Sequence, residues 1–386
     1  MRVGVDARLL SIPLTGIGRY TVEMSRALVA QEAAQADDFF LYMPSPPMMG
    51  NWAGPNGSNQ HAHIRAGKLR GRLGRMVWSQ TVLPAVAARD NVDVFWGATH
   101  RLPRYLPAHI ARVVTIHDLV WKHAGETMRP LSRWMEKRLM PEAVRLADRI
   151  LADSQSTADD LAAEFPDARD KMRVVHLGVT PLVKPDSRAS LAPCGIDRPY
   201  FLFVGTLEPR KNLRRLLGAF AQLPIAVRQR HLLVIAGGKG WGGMDVHTLV
   251  ASLGLTSSVV LVGYASDAQL ATLYAHAKFL AMPSIYEGFG LPLLEAMSLG
   301  VPVLTSNCSS LPEVTGNAGV LIDPLDEHAI AQGLHDLLMD DVLRAALAAR
   351  TQANAARFSW QKAATQTREV FTEAIAVRRT RNQRMR

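Results

Sequence analysis

Two glutamates, Glu287 and Glu295, stand eight positions apart in the stretch Ser284-Ile285-Tyr286-Glu287-Gly288-Phe289-Gly290-Leu291-Pro292-Leu293-Leu294-Glu295-Ala296-Met297. An apolar run over residues 278–282 leads into it, and a helical pattern leads out to Gly300 and the apolar 301–304. The predicted order is strand, loop, helix, strand, with glycines where the chain turns. A helix N-terminus at Gly288-Phe289-Gly290-Leu291 exposes unpaired backbone N–H groups and the positive end of the helix dipole, a setting that favours phosphate. Glu287 falls in the loop and Glu295 about two turns into the helix. Together they would flank a ligand carrying both phosphate and hydroxyls, such as a nucleotide sugar, because carboxylates accept hydrogen bonds from OH groups. The alternative for the pair alone is a loop glutamate and another on a solvated helix face.

Other residues suit the same chemistry. Arg210 and Lys211 follow the apolar run 200–204 and Gly205, a glycine-opened strand end, where a planar fork and a point charge form a diphosphate clamp. A solvated helix start is the plainer reading of that pair. Gly16 and Gly18 sit between the strand expected at residues 3–7 and an amphipathic helix with Val22, Leu28 and Val29 on its apolar side. The third glycine of a dinucleotide fingerprint is replaced by Thr21, so the two glycines suit close backbone approach to a phosphate, or simply a tight turn, with Arg19 as counter-charge. His117 and Asp118 close the apolar 113–116, at the carboxyl end where open α/β sheets bind ligands. Asp118 has three open roles: capping the next turn, holding the His117 ring, or facing a reacting carbon; the first two are favoured.

The Glu-x7-Glu spacing with Gly-Phe-Gly, the Arg210-Lys211-Asn212 run, His117-Asp118, the first glycine pair and Leu311-Pro312-Glu313-Val314 with Asp323-Pro324 occur in one order along nearly the whole chain. This set resembles retaining glycosyltransferases of family 4, whose GT-B fold has two Rossmann-like doubly wound α/β domains facing a central cleft. The resemblance implies that Arg210 and Lys211 lie on the donor phosphates, Gly16 and Gly18 pack over the diphosphate, and His117 lies beside the donor sugar. It also implies that the turns carrying Lys239 and Tyr264 enclose the nucleotide base, although plain loop roles stay open for both. The start, Gly4-Val5-Asp6-Ala7-Arg8 with Gly16-Ile17-Gly18-Arg19-Tyr20, looks most like bacterial polysaccharide mannosyl- and rhamnosyl-transferases.

Composition bounds these readings. The chain's 386 residues, 48% hydrophobic and 20% charged, suit two globular domains. The proline-containing, apolar-poor residues 180–198 read as a linker. The expected N-terminal acceptor-side domain is 1–182, completed by the last helix, 360–386; the expected nucleotide-sugar domain is 183–359. No apolar run reaches about 18 residues, and the start lacks a signal-peptide layout, so a cytoplasmic protein is expected. Cys194 and Cys308, with no CxxC, argue against a disulfide framework or zinc site. Asp37-Asp38, Asp159-Asp160 and Asp340-Asp341 read as structural pairs, so no cofactor and no metal is expected, in keeping with the family's use of helix dipole and basic residues. The net charge of +10 asks for an anionic partner. Two clusters mix bases with large apolar residues: Arg65, Lys68, Arg70, Arg72 and Arg75, and Arg129, Arg133, Lys137 and Arg138 around Trp134. They suit either an interfacial helix on the cytoplasmic membrane face or solvated helices over a core. The terminal arginines, Arg378 among them, read as a frayed tail.

The expected reaction transfers a hexose, led by mannose or rhamnose from a GDP-sugar, to a saccharide or lipid-linked saccharide in surface polysaccharide synthesis. Glu287 would hold sugar hydroxyls, Glu295 the ribose and His117 the sugar's orientation. Same-face attack is preferred for want of a nucleophile. A nucleotide-sugar epimerase or NAD-dependent dehydrogenase is the enzymatic alternative, and a non-catalytic lipid- or nucleic-acid-binding scaffold the other.

Overall fold

The computed structural model of the chain describes residues 1–13, 16–31, 36–48, 52, 61–69, 71–243 and 245–384. Of the loop expected at 50–60, only Trp52 lies within the described residues, and Leu14 and Thr15 lie outside them. The chain divides into two units: residues 1–119, 134–178 and 359–386, and residues 120–133 with 179–358.

In the first unit, β1 (Arg2–Asp6), β2 (Asp38–Met43), β3 (Ala62–Ala66), β4 (Val94–Gly97), β5 (Ala111–Ile116), β6 (Arg149–Ala152) and β7 (Met172–Val174) form a parallel sheet in the order β3-β2-β1-β4-β5-β6-β7. This is the doubly wound order, reversing between β1 and β4. Central strands covered on both faces need near-continuous apolar sequence, and Val3, Val5, Val94, Phe95 and Trp96 are fully buried. The helix after β1 spans Gly16–Val29, so Gly16 and Gly18 lie in its first turn rather than in a strand-to-helix loop. A short 3-10 turn at Arg8–Ser11 follows β1.

The helix Trp360–Arg384 belongs to this unit and packs on the Gly16–Val29 helix and on β5 and β6. Arg378 is not part of a frayed tail. Its guanidinium is buried and donates to Asp148 Oδ2 at 2.7 and 3.0 Å, and the same oxygen accepts the Arg112 backbone N–H at 2.8 Å. Arg149 and Arg173 share Glu373 on the same helix at 2.8 Å each.

The second unit repeats the topology with β8 (Tyr200–Val204), β9 (Leu232–Ala236), β10 (Val259–Gly263), β11 (Leu280–Met282), β12 (Val303–Ser306) and β13 (Gly319–Ile322), in the order β10-β9-β8-β11-β12-β13. Its reversal falls between β8 and β11. The core is aromatic at the sheet centre, where Phe201 stacks on Phe279 at 5.2 Å and meets Phe220 edge-on at 5.1 Å. The turns after β8 and β9 touch backbone to backbone: a Cβ on Gly237 would come 1.9 Å from the Gly205 carbonyl oxygen.

Two boundaries differ from the sequence expectation. The division falls at 178/179, because the Val179 amide already bonds to the Phe358 carbonyl of the second unit at 3.3 Å. Residues 120–133 join the second unit rather than the first, because Val120 and Ala124 bury themselves against Tyr286.

Replacing one member of a buried ion pair leaves the other charge uncompensated, so Arg378→Met should cost the first unit about 3–5 kcal/mol. Asp148→Asn in the same chain should return most of that loss, which thermal unfolding of the three proteins followed by circular dichroism will show.

Candidate active site

The reversal between β8 and β11 places two loops side by side, and the chemistry-bearing residues of the second unit sit on them. The loop after β8 carries Glu208, Arg210, Lys211 and Asn212; the loop after β11 carries Tyr286 and Glu287. Ile285 N–H donates to the Arg210 carbonyl at 2.9 Å and clips the loops together. Asn212 adopts φ of +62°, a left-handed conformation asparagine tolerates, and its buried amide donates to the Pro283 and Pro324 carbonyls at 3.0 and 2.7 Å.

Arg210 donates through Nη1 to the Tyr286 carbonyl at 2.9 Å and to Glu287 Oε2 at 2.5 Å, and through Nη2 to Glu208 Oε1 at 2.6 Å. Lys211 Nζ donates to the other oxygen of Glu287, Oε1, at 2.6 Å. Side-chain exposure is 16% for Arg210, 12% for Lys211 and 8% for Glu287, so the group is nearly dry. Burial pushes the Glu287 carboxyl up, but the charges of Arg210 and Lys211 outweigh it and hold the group at about 2. Two cations face two carboxylates, Glu208 and Glu287.

The backbone of the Glu287 loop is braced by the following serines. Glu287 N–H donates to Ser309 Oγ at 3.1 Å, and Ser310 Oγ lies 3.0 Å from the carbonyls of Glu287 and Phe289. Gly290 then opens the helix Leu291–Ser298 with φ of +106°, which only glycine adopts without strain. Gly288, Phe289, Gly290 and Leu291 therefore supply a helix N-terminus directly after Glu287.

Glu295 is buried on that helix, and the Tyr274 hydroxyl donates to its Oε2 at 2.8 Å. Lys239 and Tyr264 lie in the turns after β9 and β10, as the sequence suggests, and both are exposed, Tyr264 by 82%. Lys239 bridges through its backbone to Leu207.

Residues 120–133 contribute to this unit in a way the sequence reading misses. The His123 ring stacks on Tyr286 at 5.2 Å, and Trp241 donates through Nε1 to the Thr127 carbonyl at 2.7 Å. The residue before Glu287 is thus held by a segment that lies far from it along the chain. Glu208 was missed too; its signal was an acid two positions before the clamp arginine.

In the first unit His117 follows β5 and is buried. Its Nδ1 lies 2.6 Å from Asp153 Oδ2 and its Nε2 lies 3.0 Å from the Ala98 carbonyl. Both neighbours are hydrogen-bond acceptors, an arrangement that favours the doubly protonated ring. Burial works against the charge, yet Asp153 and the Ala98 carbonyl raise the pKa above its ordinary value, with Asp118 adding a smaller share. Two sequence expectations change here. The carboxylate holding the ring is Asp153 at the end of β6, not Asp118, and both nitrogens of His117 are taken by protein groups rather than offered to a sugar. Asp118 itself is half-buried.

The His117 backbone N–H donates to His100 Nε2 at 2.9 Å, which puts the His100 proton on Nδ1, 3.5 Å from Glu136 Oε2. Glu136 also receives Arg101 at 3.0 Å and is held at about 2 by His100 and Arg101 against the opposing effect of burial. Tyr20, from the helix that opens with Gly16 and Gly18, sets its ring edge-on to His117 at 4.7 Å. Among the described residues no group of three or more His, Cys, Asp or Glu has metal-binding geometry.

Known proteins are similar to this chain. Residues 193–356 match the family described as glycosyl transferases group 1, and residues 14–181 match glycosyltransferase family 4. Over 381 residues the chain is 35% identical to O-antigen chain mannosyltransferase B of Escherichia coli, covering 95% of this chain and 98% of the relative. Among solved structures, sucrose-phosphate synthase from Thermosynechococcus elongatus superposes with a TM-score of 0.74 at 20% identity, covering 97% of this chain and 99% of that one. WaaG, a glycosyltransferase involved in lipopolysaccharide biosynthesis, gives 0.72 at 18% identity, covering 96% and 100%. With two doubly wound sheets, both halves matched and a relative similar from end to end, the chain belongs to glycosyltransferase family 4 and is a glycosyltransferase of the GT-B fold.

Proposed function

We propose that this enzyme transfers a hexose, mannose ahead of rhamnose, from a GDP-sugar to a saccharide or lipid-linked saccharide acceptor in O-antigen synthesis, with retention at the anomeric carbon. The observation that carries the reading is the meeting of Arg210, Lys211 and Glu287 where the second sheet reverses its strand order. The end-to-end similarity to an O-antigen mannosyltransferase favours mannose and the polysaccharide setting. Family membership removes the ground for the epimerase and scaffold alternatives.

In this reading the donor's diphosphate lies on Arg210, Lys211 and the amides at Gly288–Leu291, and Gly16 and Gly18 keep the phosphate-binding role that the resemblance implies. As the C1–O bond to the diphosphate breaks, negative charge grows on the leaving oxygen and these groups stabilise it. The acceptor oxygen bonds to C1 on the same face, and its proton passes to the leaving phosphate. Glu287 holds sugar hydroxyls, Glu295 the ribose, and Lys239 and Tyr264 border the base. His117 stays paired with Asp153, and Asp118 stays outside the bond-making steps. The two side-chain cations and the helix N-terminus provide the counter-charge, so no metal or cofactor is required.

Among the described residues no helix is long and apolar enough to cross a membrane. Peripheral contact with an anionic membrane on the cytoplasmic side remains part of the proposal. On the helix Pro130–Leu146, Trp134 is 59% exposed and Lys137 and Arg138 are exposed beside it, a combination that suits a lipid headgroup layer. In the other cluster Arg65 is engaged by Asp90 at 3.0 Å, which leaves it less suited to lipid.

Three outcomes test these readings. Arg210→Ala and Lys211→Ala should each lower kcat/KM by about 10²–10³-fold in a GDP-mannose transfer assay run with EDTA, in which the wild type keeps its activity. Anionic liposomes should sediment the wild type and lose it on combined Trp134→Ala, Lys137→Ala and Arg138→Ala substitution; neutral liposomes should bind neither. The raised pKa of His117 means its charged pairing is complete below about pH 6.5 and is lost as pH rises through the folded value. A proton NMR titration of the imidazole should find His117 titrating above the ordinary histidine value, and Asp153→Asn should bring its titration down.

A further inference from the structure

We propose that the Glu287 carboxylate is an internal competitor of the donor diphosphate, bridging the same two cations that the phosphates must use. This rests on the reading that Arg210 and Lys211 receive the diphosphate. One carboxylate oxygen sits on the guanidinium at 2.5 Å and the other on the ammonium at 2.6 Å, which is how a phosphate would span the pair. Negative phosphates brought to these cations while Glu287 remains would place like charges together where little water reaches them, and their repulsion is strong there. Glu287 therefore turns away as the diphosphate arrives.

Its surroundings allow that exchange. The Glu287 backbone is pinned by Ser309 and Ser310, so the side chain can swing while the loop stays in place. Glu208 remains on Nη2 of Arg210 at 2.6 Å and keeps the fork aimed after Nη1 changes partner. In a turnover cycle Glu287 leaves the cations for the sugar hydroxyls, then returns to the cations once the sugar has gone. That return expels the nucleoside diphosphate. Glu287 is accordingly both a substrate-binding residue and the group that limits product affinity.

The test is calorimetric titration of GDP, UDP and inorganic pyrophosphate into wild type, Glu287→Gln and Glu287→Asp. Competition predicts that Glu287→Gln binds the preferred nucleoside diphosphate at least about tenfold more tightly than wild type, with pyrophosphate changing in parallel, while sugar transfer is lost. Glu287→Asp keeps the charge that the buried cations need but is too short to bridge both, so it should lie between the two. It decides the matter if the glutamine variant does not fold. Unchanged or weaker nucleotide binding by folded variants, beside measurable binding by wild type, overturns the competition and leaves the donor site standing. No binding of any of the three ligands by any of the proteins removes the donor-site reading and the competition with it.

Discussion

A carboxylate held between a guanidinium and an ammonium, nearly out of water, is the constraint on which the second unit depends. Each of these charges alone would be costly to bury, and together they are tolerable only if their geometry is kept. The surrounding structure supplies that geometry. Neighbouring strands β8 and β11 end side by side, Asn212 ties their loops to a third through two proline carbonyls, and two serines hold the backbone at Glu287. A charged cluster fixed in this way has its alignment in place before charge develops on a leaving group, which is what electrostatic stabilisation of a transition state requires.

The first unit uses the same strand order for a different arrangement. After β4, β5 and β6 it collects His100, Arg101, His117 and Asp153, with Glu136 from the helix Pro130–Leu146, into a chain of hydrogen bonds and close charge pairs. The partners favour particular proton positions: two acceptors favour the doubly protonated ring at His117, and the His117 amide on Nε2 leaves Nδ1 for the His100 proton. This network orders the strand ends by pairing charge with charge. The ring that the sequence suggests as a sugar neighbour is the most tightly held member of it.

Two segments show packing overriding chain order. Residues 120–133 follow the first unit's β5 yet belong with the second unit, because the apolar faces of Val120 and Ala124 meet Tyr286 there and Thr127 accepts the Trp241 indole. The last helix belongs with the first unit through Arg378, Arg368 and Glu373, whose partners Asp148, Asp37, Arg149 and Arg173 are all distant in sequence. A basic C-terminal stretch reads as a solvated tail because nothing in its own composition reveals a buried aspartate more than two hundred positions earlier.

Local pattern was enough to mark alternating strands and helices, and the resemblance of the motif set supplied the fold class. Apolar runs alternating with helical periodicity require parallel strands covered on both sides, and β8, β9 and β11 are legible in that way. The polar edge strand β3, Ala-His-Ile-Arg-Ala, carries too little alternation to be read. Residue type and spacing also marked Arg210, Lys211 and Glu287 as a group with shared chemistry. Their mutual distance was beyond the sequence, as were the acid that orients Arg210, the aspartate that holds the His117 ring, and the pairing of Glu295 with Tyr274. Strand and helix periodicity are set by each residue's near neighbours along the chain. Charge pairing is set by which strand ends the sheet brings together, and only the folded chain decides that.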